Sequence, residues 1–425
     1  MKPKVFYGWY IVVAGLVLNI YNAALFSYGW SAFVNPILTT FGWTMVQLSL
    51  ASSLRGLESG IFNPLFGWIV DHYSARKLMI TGLIVNASGI FLLSQTKNLG
   101  MYYGGFLLMG LGSSLAIGIL PTTVIARWFK KDLGKANGIF FMGNGFGGLA
   151  APLVVKIIDS LGWQTTLFYG AIGILVIGIP MALIFRDRPQ DRNLLPDGRA
   201  AVTSSGTKVT ATSAEYGTSV KDALRTRAFW HLVATVLFQN SFLGVLTMFM
   251  IPSLTNVGMT RAAAATVTSL FTLVSLFVRI PFGILSDRIR KSYCVALSVG
   301  FQTIGAFIFW LLSGSSPFWM VLAFAITYGV GLSGIMVLRP SILSEYFGTK
   351  NFGTIFALEG IFITIAGIAS QPLAGWVFDT YHTYKPLWIG YFIFGVVALV
   401  VILTIPAAKK RAAPASEATP TEATK

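Results

Sequence analysis

The chain has 425 residues, of which 55% are hydrophobic and only 11% charged, with a mean hydropathy of +0.71. Soluble domains carry about 25% charged residues, so the composition is that of a polytopic membrane protein and excludes an ordinary soluble enzyme. The formal charge of +16 reads as basic loops on one side of a membrane rather than as a footprint for nucleic acid. The single cysteine, Cys294, excludes an internal disulfide or a cysteine metal cluster. His72, His231 and His382 lie far apart in sequence, so no metal or cofactor is expected.

Apolar runs of about 20 residues suit a ~30 Å hydrocarbon core. Twelve are read in order, at roughly 8–36, 45–70, 78–95, 101–125, 136–158, 164–185, 228–254, 264–285, 293–313, 317–340, 352–377 and 386–406. Met1-Lys2-Pro3-Lys4 before the first run resembles the start of a signal peptide. The run is long, and no short apolar stretch with a small-residue cleavage site follows, so it is read as a span. Residues 1–186 and 228–407 then hold six spans each. They are separated by a polar linker, 187–227, with Pro189, Pro196 and a Thr/Ser-rich stretch at 203–213. The tail 408–425 has the composition of a disordered segment.

Lysine and arginine set the orientation. Lys2, Lys4, Arg76, Lys77, Arg127, Lys130, Lys131, Lys135, the basic linker, Arg288, Arg290 and Lys291 fall on one side, against Lys97, Lys156, Arg261 and Lys385 on the other. The bias places both termini in the cytoplasm, with the chain in the cell membrane.

The halves echo each other. Gly67-Trp68-Ile69-Val70-Asp71 matches Gly283-Ile284-Leu285-Ser286-Asp287, and Ala151-Pro152-Leu153 with Asp159 matches Gln371-Pro372-Leu373 with Asp379, at offsets of 216 and 220 residues. An all-α fold of two pseudo-symmetric six-helix bundles around a central site is a transporter arrangement.

Gly67-x-x-x-Asp71-x-x-x-x-Arg76-Lys77 and its echo Gly283-x-x-x-Asp287-Arg288-x-Arg290-Lys291 resemble the loop signature of the major facilitator superfamily, although His72 and Ser74 depart from it. The resemblance implies transport by alternating access, with Asp71, Arg76, Asp287 and Arg288 at a cytoplasmic gate. Tyr7-Gly8-Trp9 and Arg127-Trp128-Phe129-Lys130-Lys131-x-Leu133-x-Lys135-Ala136-x-Gly138 look like the monocarboxylate transporter branch. The acidic residue that usually opens that branch's first-span motif is missing here. Ser27-Tyr28-Gly29-Trp30 with Asn35-Pro36 is similar to the first span of the oxalate:formate antiporters.

Four charges fall well inside spans: Arg55, Glu58, Arg279 and Glu359. Each costs at least a few kcal/mol in lipid unless it is paired or lines a wet cavity, roughly +2.5–3.5 kcal/mol for an arginine at a helix centre. Arg55 and Glu58 share a helix face at i, i+3 and can pair. Arg279 lies eight residues from Asp287 and Glu359 nine from Lys350, depths of ~12 and ~13 Å, which predicts an Arg279–Glu359 pair. The resemblance also puts Arg279 where both branches keep an arginine for substrate carboxylate, a role suited to its planar fork of donors. Ser275, where animal monocarboxylate transporters have aspartate, and Glu359, where the antiporters have a second cation, depart from those branches and disfavour a dicarboxylate.

The expected function is secondary transport of a small monocarboxylate, lactate- or pyruvate-like, together with protons. Glu359, with or without Glu58, takes the proton as substrate binds Arg279, and Arg55 is grouped with these two acids in the coupling. Asn22, Tyr28, Asn144, Gln239, Asn240 and Tyr328 are candidates for the cavity wall, and the resemblance places Tyr28 and Tyr328 there. Gly143-x-Gly145-x-Gly147-Gly148 has no preceding strand and reads as close helix packing rather than a nucleotide loop. The partners expected are a small organic anion, protons and the bilayer, with a monomer sufficient and no enzyme activity. Two alternatives stand beside this: a transporter or exchanger of another organic solute with Arg279–Glu359 as a structural lock, and a transporter-like solute sensor.

Overall fold

In hydrocarbon every backbone N–H and C=O must be satisfied within the protein, which leaves a chain of this composition to fold as helices. The computed structural model describes residues 6–129, 132–192, 194–195, 218–348 and 351–406, and no β-strand occurs among the described residues. The tail 408–425 and most of the linker lie outside them.

The first span runs from Tyr7 to Phe41 as α1 (Tyr7–Asn22), a π-helical stretch (Ala23–Ser27) and α2 (Ser31–Phe41). After α3 (Met45–His72) and α4 (Ala75–Ser94), the fourth span repeats that design. There α5 (Leu99–Ser113) and α6 (Leu120–Trp128) are joined by a π-helical stretch, Ser114–Ile119. α7 (Leu133–Leu149) and α8 (Ala151–Leu161) meet at 46°, with Pro152 just past the break, and α9 (Trp163–Ile184) completes the first half. A short α10 (Val220–Arg225) leads into α11 (Arg227–Asn256), α12 (Arg261–Arg288), α13 (Lys291–Leu311), α14 (Phe318–Phe347), α15 (Phe352–Tyr381) and α16 (Lys385–Leu403).

Ten of these rods are long and apolar enough to cross a membrane, and the bent α7–α8 pair makes eleven. The remaining expected span is α3. Its 28 residues reach about 42 Å at ~1.5 Å per residue, but Gln47, Arg55, Glu58 and Asn63 dilute its apolar side chains.

In the first half α4 packs on α5 and α9, and α1 on α7. In the second, α13 packs on α14 and α16, α12 on α14, and α11 on α15. The glycine run of α7 serves close packing on two sides. Gly143 and Gly147 lie against Leu16, Asn19 and Ala23 of the first span, and Gly145 and Gly148 against Leu276 and Thr272 of α12. Outward-facing Val176, Leu183, Ile393, Val397 and Val400 are exposed, as side chains that meet lipid should be.

Successive spans alternate in direction. The loops at 42–44, 162, 257–260 and 382–384 therefore gather at one end, the far end, and those at 73–74 and 289–290 gather with the ends of α6 and α9 at the other, the linker end. The halves meet through α2 with α11, α3 with α15, and α7 and α8 with α12. At the far end this junction is polar. Asp379, near the end of α15, accepts from the backbone N–H groups of Met45 and Val46, each at 2.9 Å. Thr44 and Gln47 cap the same turn reciprocally, with Gln47 N donating to Thr44 Oγ1 at 3.1 Å and Thr44 N to Gln47 Oε1 at 3.0 Å. The opening donors of α3, which no helix can satisfy internally, are thus shared between its own half and the other.

The repeat supplies a counterpart. Asp159, near the end of α8, forms an ion pair with Arg261, the first residue of α12, and Arg261 also donates to the Ala32 carbonyl at 2.8 Å. Asn35 donates to Thr255 Oγ1 at 3.0 Å and Ile251 N to Ser31 Oγ at 2.9 Å. Toward mid-height, Ser53 Oγ donates to the Ile368 carbonyl at 2.6 Å and Ser269 Oγ to the Leu149 carbonyl at 3.2 Å.

Replacing Asp379 with alanine removes two charge-assisted hydrogen bonds, each worth about 1.5–3 kcal/mol, and should shift the protein toward opening at the far end. A cysteine at position 247 on α11, in a Cys294→Ser background, reports this through a membrane-impermeant maleimide added on the far side. Labelling is expected to rise at least tenfold with Asp379→Ala; unchanged labelling would show that the cap does not hold the halves together.

Candidate functional site

Below the far-end contacts, between the halves, lies a cavity of about 440 Å³. Its wall takes Tyr28 and Trp30 from the first span, Ser52 and Arg55 from α3, and Asn144 from α7. Asn240 and Thr247 of α11 and Gln371 of α15 add to its polar lining. Tyr28, Asn144, Asn240 and Arg55 were expected from sequence to serve the site, and the structure brings these four together. Trp30, Ser52, Thr247 and Gln371 were not foreseen, since small polar and aromatic residues in spans carry no signal that separates a cavity wall from helix packing.

The π-helical stretch explains how Tyr28 and Trp30 reach this wall. It ends in a tight elbow in which a Cβ on Gly29 would run into the Ala24 carbonyl. Only glycine closes that turn, and its two aromatic neighbours are carried to the cavity. Tyr28 also stacks edge-on against Phe271 of α12 at 6.0 Å between ring centroids.

Arg279 is half-buried on α12, with its Nε enclosed and without a hydrogen-bond partner. Its guanidinium lies within electrostatic reach of Tyr28, which connects it to the cavity wall. It does not pair with Glu359. That carboxylate, 1% exposed, accepts from Arg339 Nε at 2.7 Å. The Arg339 guanidinium lies over the Phe356 ring, 4.1 Å from its centroid. The expected Arg279–Glu359 lock is therefore replaced by an Arg339–Glu359 pair. Depth alone could not tell the two arginines apart, but chain geometry could. The turn between α14 and α15 spans Gly348–Asn351, with Arg339 nine residues before it and Glu359 eight after it. Two antiparallel neighbours therefore bring these side chains level.

Arg339 and Glu359 line a separate small cavity of about 20 Å³ inside the second half, together with Gln239 and Ser298. Gln239 Nε2 donates to Ser298 Oγ at 3.0 Å, so Gln239 belongs to this interior network rather than to the central wall. Tyr328 is fully buried behind Phe271, with ring centroids 5.2 Å apart, and packs against Phe242 and Phe324. Asn22 is half-buried, its Oδ1 enclosed without a partner, and it is not on the wall of the central cavity.

Arg55 and Glu58 do share a face, as their spacing predicts, and both converge on Gly110 of α5. Glu58 is 4% exposed, and neither of its carboxylate oxygens has a hydrogen-bond partner. The expected pairing is thus one of proximity without a hydrogen bond. Of the candidate gate, Arg288 is exposed and Arg76 has its Nε enclosed without a partner, while the side chains of Asp71 and Asp287 lie outside the described residues. Contacts that the sequence did not reveal join elements at this end: Lys291 to Glu345 at 3.6 Å, and Trp128 Nε1 to the Arg186 carbonyl at 3.0 Å.

Residues 15–258 and 244–425 match the family model described as Major Facilitator Superfamily. Monocarboxylate transporter 12 of Mus musculus is 22% identical over 396 residues, 89% of this chain and 81% of that protein. The probable nitrate transporter NarT of Staphylococcus haemolyticus (strain JCSC1435) is 25% identical over 324 residues, 74% of this chain and 77% of that one. Among solved structures, a bacterial homologue of the human lysosomal transporter Spinster, inward-facing and occupied, superposes with a TM-score of 0.70 at 14% identity, covering 95% of this chain and 97% of that chain. The nucleoside transporter NupG gives 0.69 at 14% identity, covering 93% and 98%.

The Arg339–Glu359 pair offers a test of its own. Arg339→Ala leaves a buried carboxylate without its cation and should destabilise the purified protein by about 3–5 kcal/mol. Arg339→Met combined with Glu359→Gln, which removes both charges, should recover most of that loss. Thermal unfolding in detergent checks this, and a double variant no more stable than Arg339→Ala would deny the pairing.

Proposed function

The chain belongs to the Major Facilitator Superfamily, and from that premise we propose that it carries a small organic anion of the monocarboxylate type across the membrane by alternating access. The observation that carries the reading is Arg55. It is a guanidinium on the wall of a cavity between two halves that are joined at one end, beside Tyr28, which Arg279 approaches from the other half. A cation held in a membrane interior is expensive, and it is retained where it meets an anion or a wet cavity. The planar fork of arginine donates two parallel hydrogen bonds to a carboxylate. Two relatives carry names that point to small anions, a monocarboxylate transporter and a probable nitrate transporter.

Substrate enters the cavity when one end is open, and its negative charge offsets the guanidinium charge at the wall. The halves then exchange the open end for the closed one. With lysine and arginine gathered at the linker end, that end faces the cytoplasm. The far-end ties then close the outer side in the state described. Alternating access requires those ties to break and the linker end to close in turn, with Asp71, Arg76, Asp287 and Arg288 as gate residues there. The NarT match gives a second cargo for comparison, a nitrate-sized inorganic anion, although a cavity of about 440 Å³ is more than such an ion fills.

Ligand binding stabilises the folded protein by mass action, so lactate, pyruvate and nitrate can be compared by thermal shift and by flux into proteoliposomes. The wild type should be stabilised by, and transport, the monocarboxylates. Arg55→Ala should abolish both effects. Arg279→Lys, which keeps the charge but loses the fork, should weaken affinity about tenfold to a hundredfold, corresponding to about 1.5–3 kcal/mol. Stabilisation by nitrate alone would favour the inorganic cargo, and lactate transport at normal affinity by Arg55→Ala would refute the site.

A further inference from the structure

We propose that Glu58 is the proton-binding site of this transporter, and that it couples proton to anion by competing with the substrate for Arg55. The inference rests on the reading of the central cavity as an anion site, and it assigns the coupling residue that reading leaves open.

The two buried acids differ in their partners. Glu359 is satisfied by Arg339 and by a second contact, Arg339 Nη2 to the Phe356 carbonyl at 3.5 Å, which holds the arginine in place. Glu58 is as deeply buried, at 4% exposure, yet both of its oxygens lack a donor. A charged carboxylate enclosed without a donor is far more costly than the neutral acid in the same place. Glu58 is therefore the buried acid with reason to hold a proton in the state described, while Glu359 already has its partner.

Its surroundings make Glu58 specific. A Cβ on Gly110 would collide with Glu58 Oε2 and would lie 3.2 Å from Arg55 Cγ, so the glycine forms a notch on α5 that receives both side chains. The elements that pack on α3 bring few competing groups to this level. α5 carries Tyr102 and Tyr103 near the far end, where the Tyr103 hydroxyl donates to the Gln47 carbonyl at 2.9 Å. α6 carries Arg127 near the linker end, donating to the Val70 carbonyl at 3.2 Å. α15 carries Glu359, held by Arg339, and Asp379, held at the far end by Met45 and Val46. α2 and the Ser114–Ile119 stretch carry no titratable side chain. Arg55, one turn away on the same helix, is the charged neighbour that remains.

Arg55 belongs to two environments at once, because it lines the central cavity while its stem lies in the Glu58 notch. When Glu58 gives up its proton, the new carboxylate takes the guanidinium as its ion-pair partner, and the cavity loses its cation. When Glu58 accepts a proton from cavity water, the guanidinium is released to the substrate carboxylate. One proton is bound for each anion admitted and one is released when the anion leaves, so charge balances at each step. Proton and anion thus bind together because a single arginine serves either acid, that of the protein or that of the substrate.

The experiment uses purified full-length protein in proteoliposomes, with lactate as the probe. Wild type should accumulate lactate against its gradient when a pH gradient is imposed. Glu58→Gln, a permanent neutral mimic, should lose at least tenfold of that accumulation, while lactate–lactate exchange proceeds with a flattened pH dependence. Glu58→Gln that still accumulates lactate on a pH gradient overturns the proposal. A second readout needs no substrate. The infrared difference spectrum between acidic and alkaline buffer should contain a carboxylic-acid carbonyl band that Glu58→Gln lacks. Gly110→Ala, which crowds the carboxyl without removing it, should move the pH at which that band titrates. A band that persists in Glu58→Gln places the proton elsewhere and overturns the proposal. If wild type binds no lactate but the band is lost in Glu58→Gln, the anion reading fails while the proton site stands.

Discussion

The structure depends on a helix start that cannot complete itself. The first N–H groups of α3 have no partners within the helix, as at any helix start. Its own capping box takes up part of this need, and Asp379 from the opposite half supplies the rest at Met45 and Val46. Joining the halves therefore satisfies backbone donors rather than only burying apolar surface. Asp379 is half-buried and sits at an end of the molecule that meets water, so water can replace it when the halves part. A wholly apolar junction would resist opening, because exposing such surface to water costs ~25 cal/mol per Å². A junction of a few charge-assisted bonds is strong enough to favour one state and weak enough to be exchanged.

The sequence revealed where charge was, but not whom each charge met. Arg55, Glu58, Arg279 and Glu359 stood out because lipid makes any ionised side chain conspicuous. The assignment of partners failed at Arg339. It lies one residue inside the expected end of its span, 317–340, and was not among the interior charges singled out. Its pairing with Glu359 depends on the length of the turn between α14 and α15, which hydropathy does not report. The glycine run of α7 was legible, because four glycines in six residues of a span have few other uses. The polar wall was only half legible. Asn144, Asn240, Tyr28 and Arg55 reached it, whereas Gln239 turned into its own bundle and Tyr328 stayed behind Phe271.

The two buried acids also divide the labour of the halves. In the second half, Arg339 and Glu359 sit on different helices and staple α14 to α15, with the Phe356 ring against the guanidinium. That arrangement resists change, since breaking it strands a charge. In the first half, Arg55 and Glu58 sit on one helix, one turn apart, and the Glu58 carboxylate has no hydrogen-bond donor. The two halves of a repeated fold thus hold their buried acids differently, one by an ion pair between helices and the other without a hydrogen bond.

The elbow at Gly29 has a consequence for how such a protein can diversify. Tyr28 and Trp30 face the cavity from either side of a turn that only glycine can close, because any larger residue meets the Ala24 carbonyl. The two rings are themselves packed, Tyr28 edge-on against Phe271 and Trp30 against Phe33 and Phe106. A change at any of the three positions must therefore be met by neighbours on other helices, and the wall of the chamber can drift only where those neighbours drift with it.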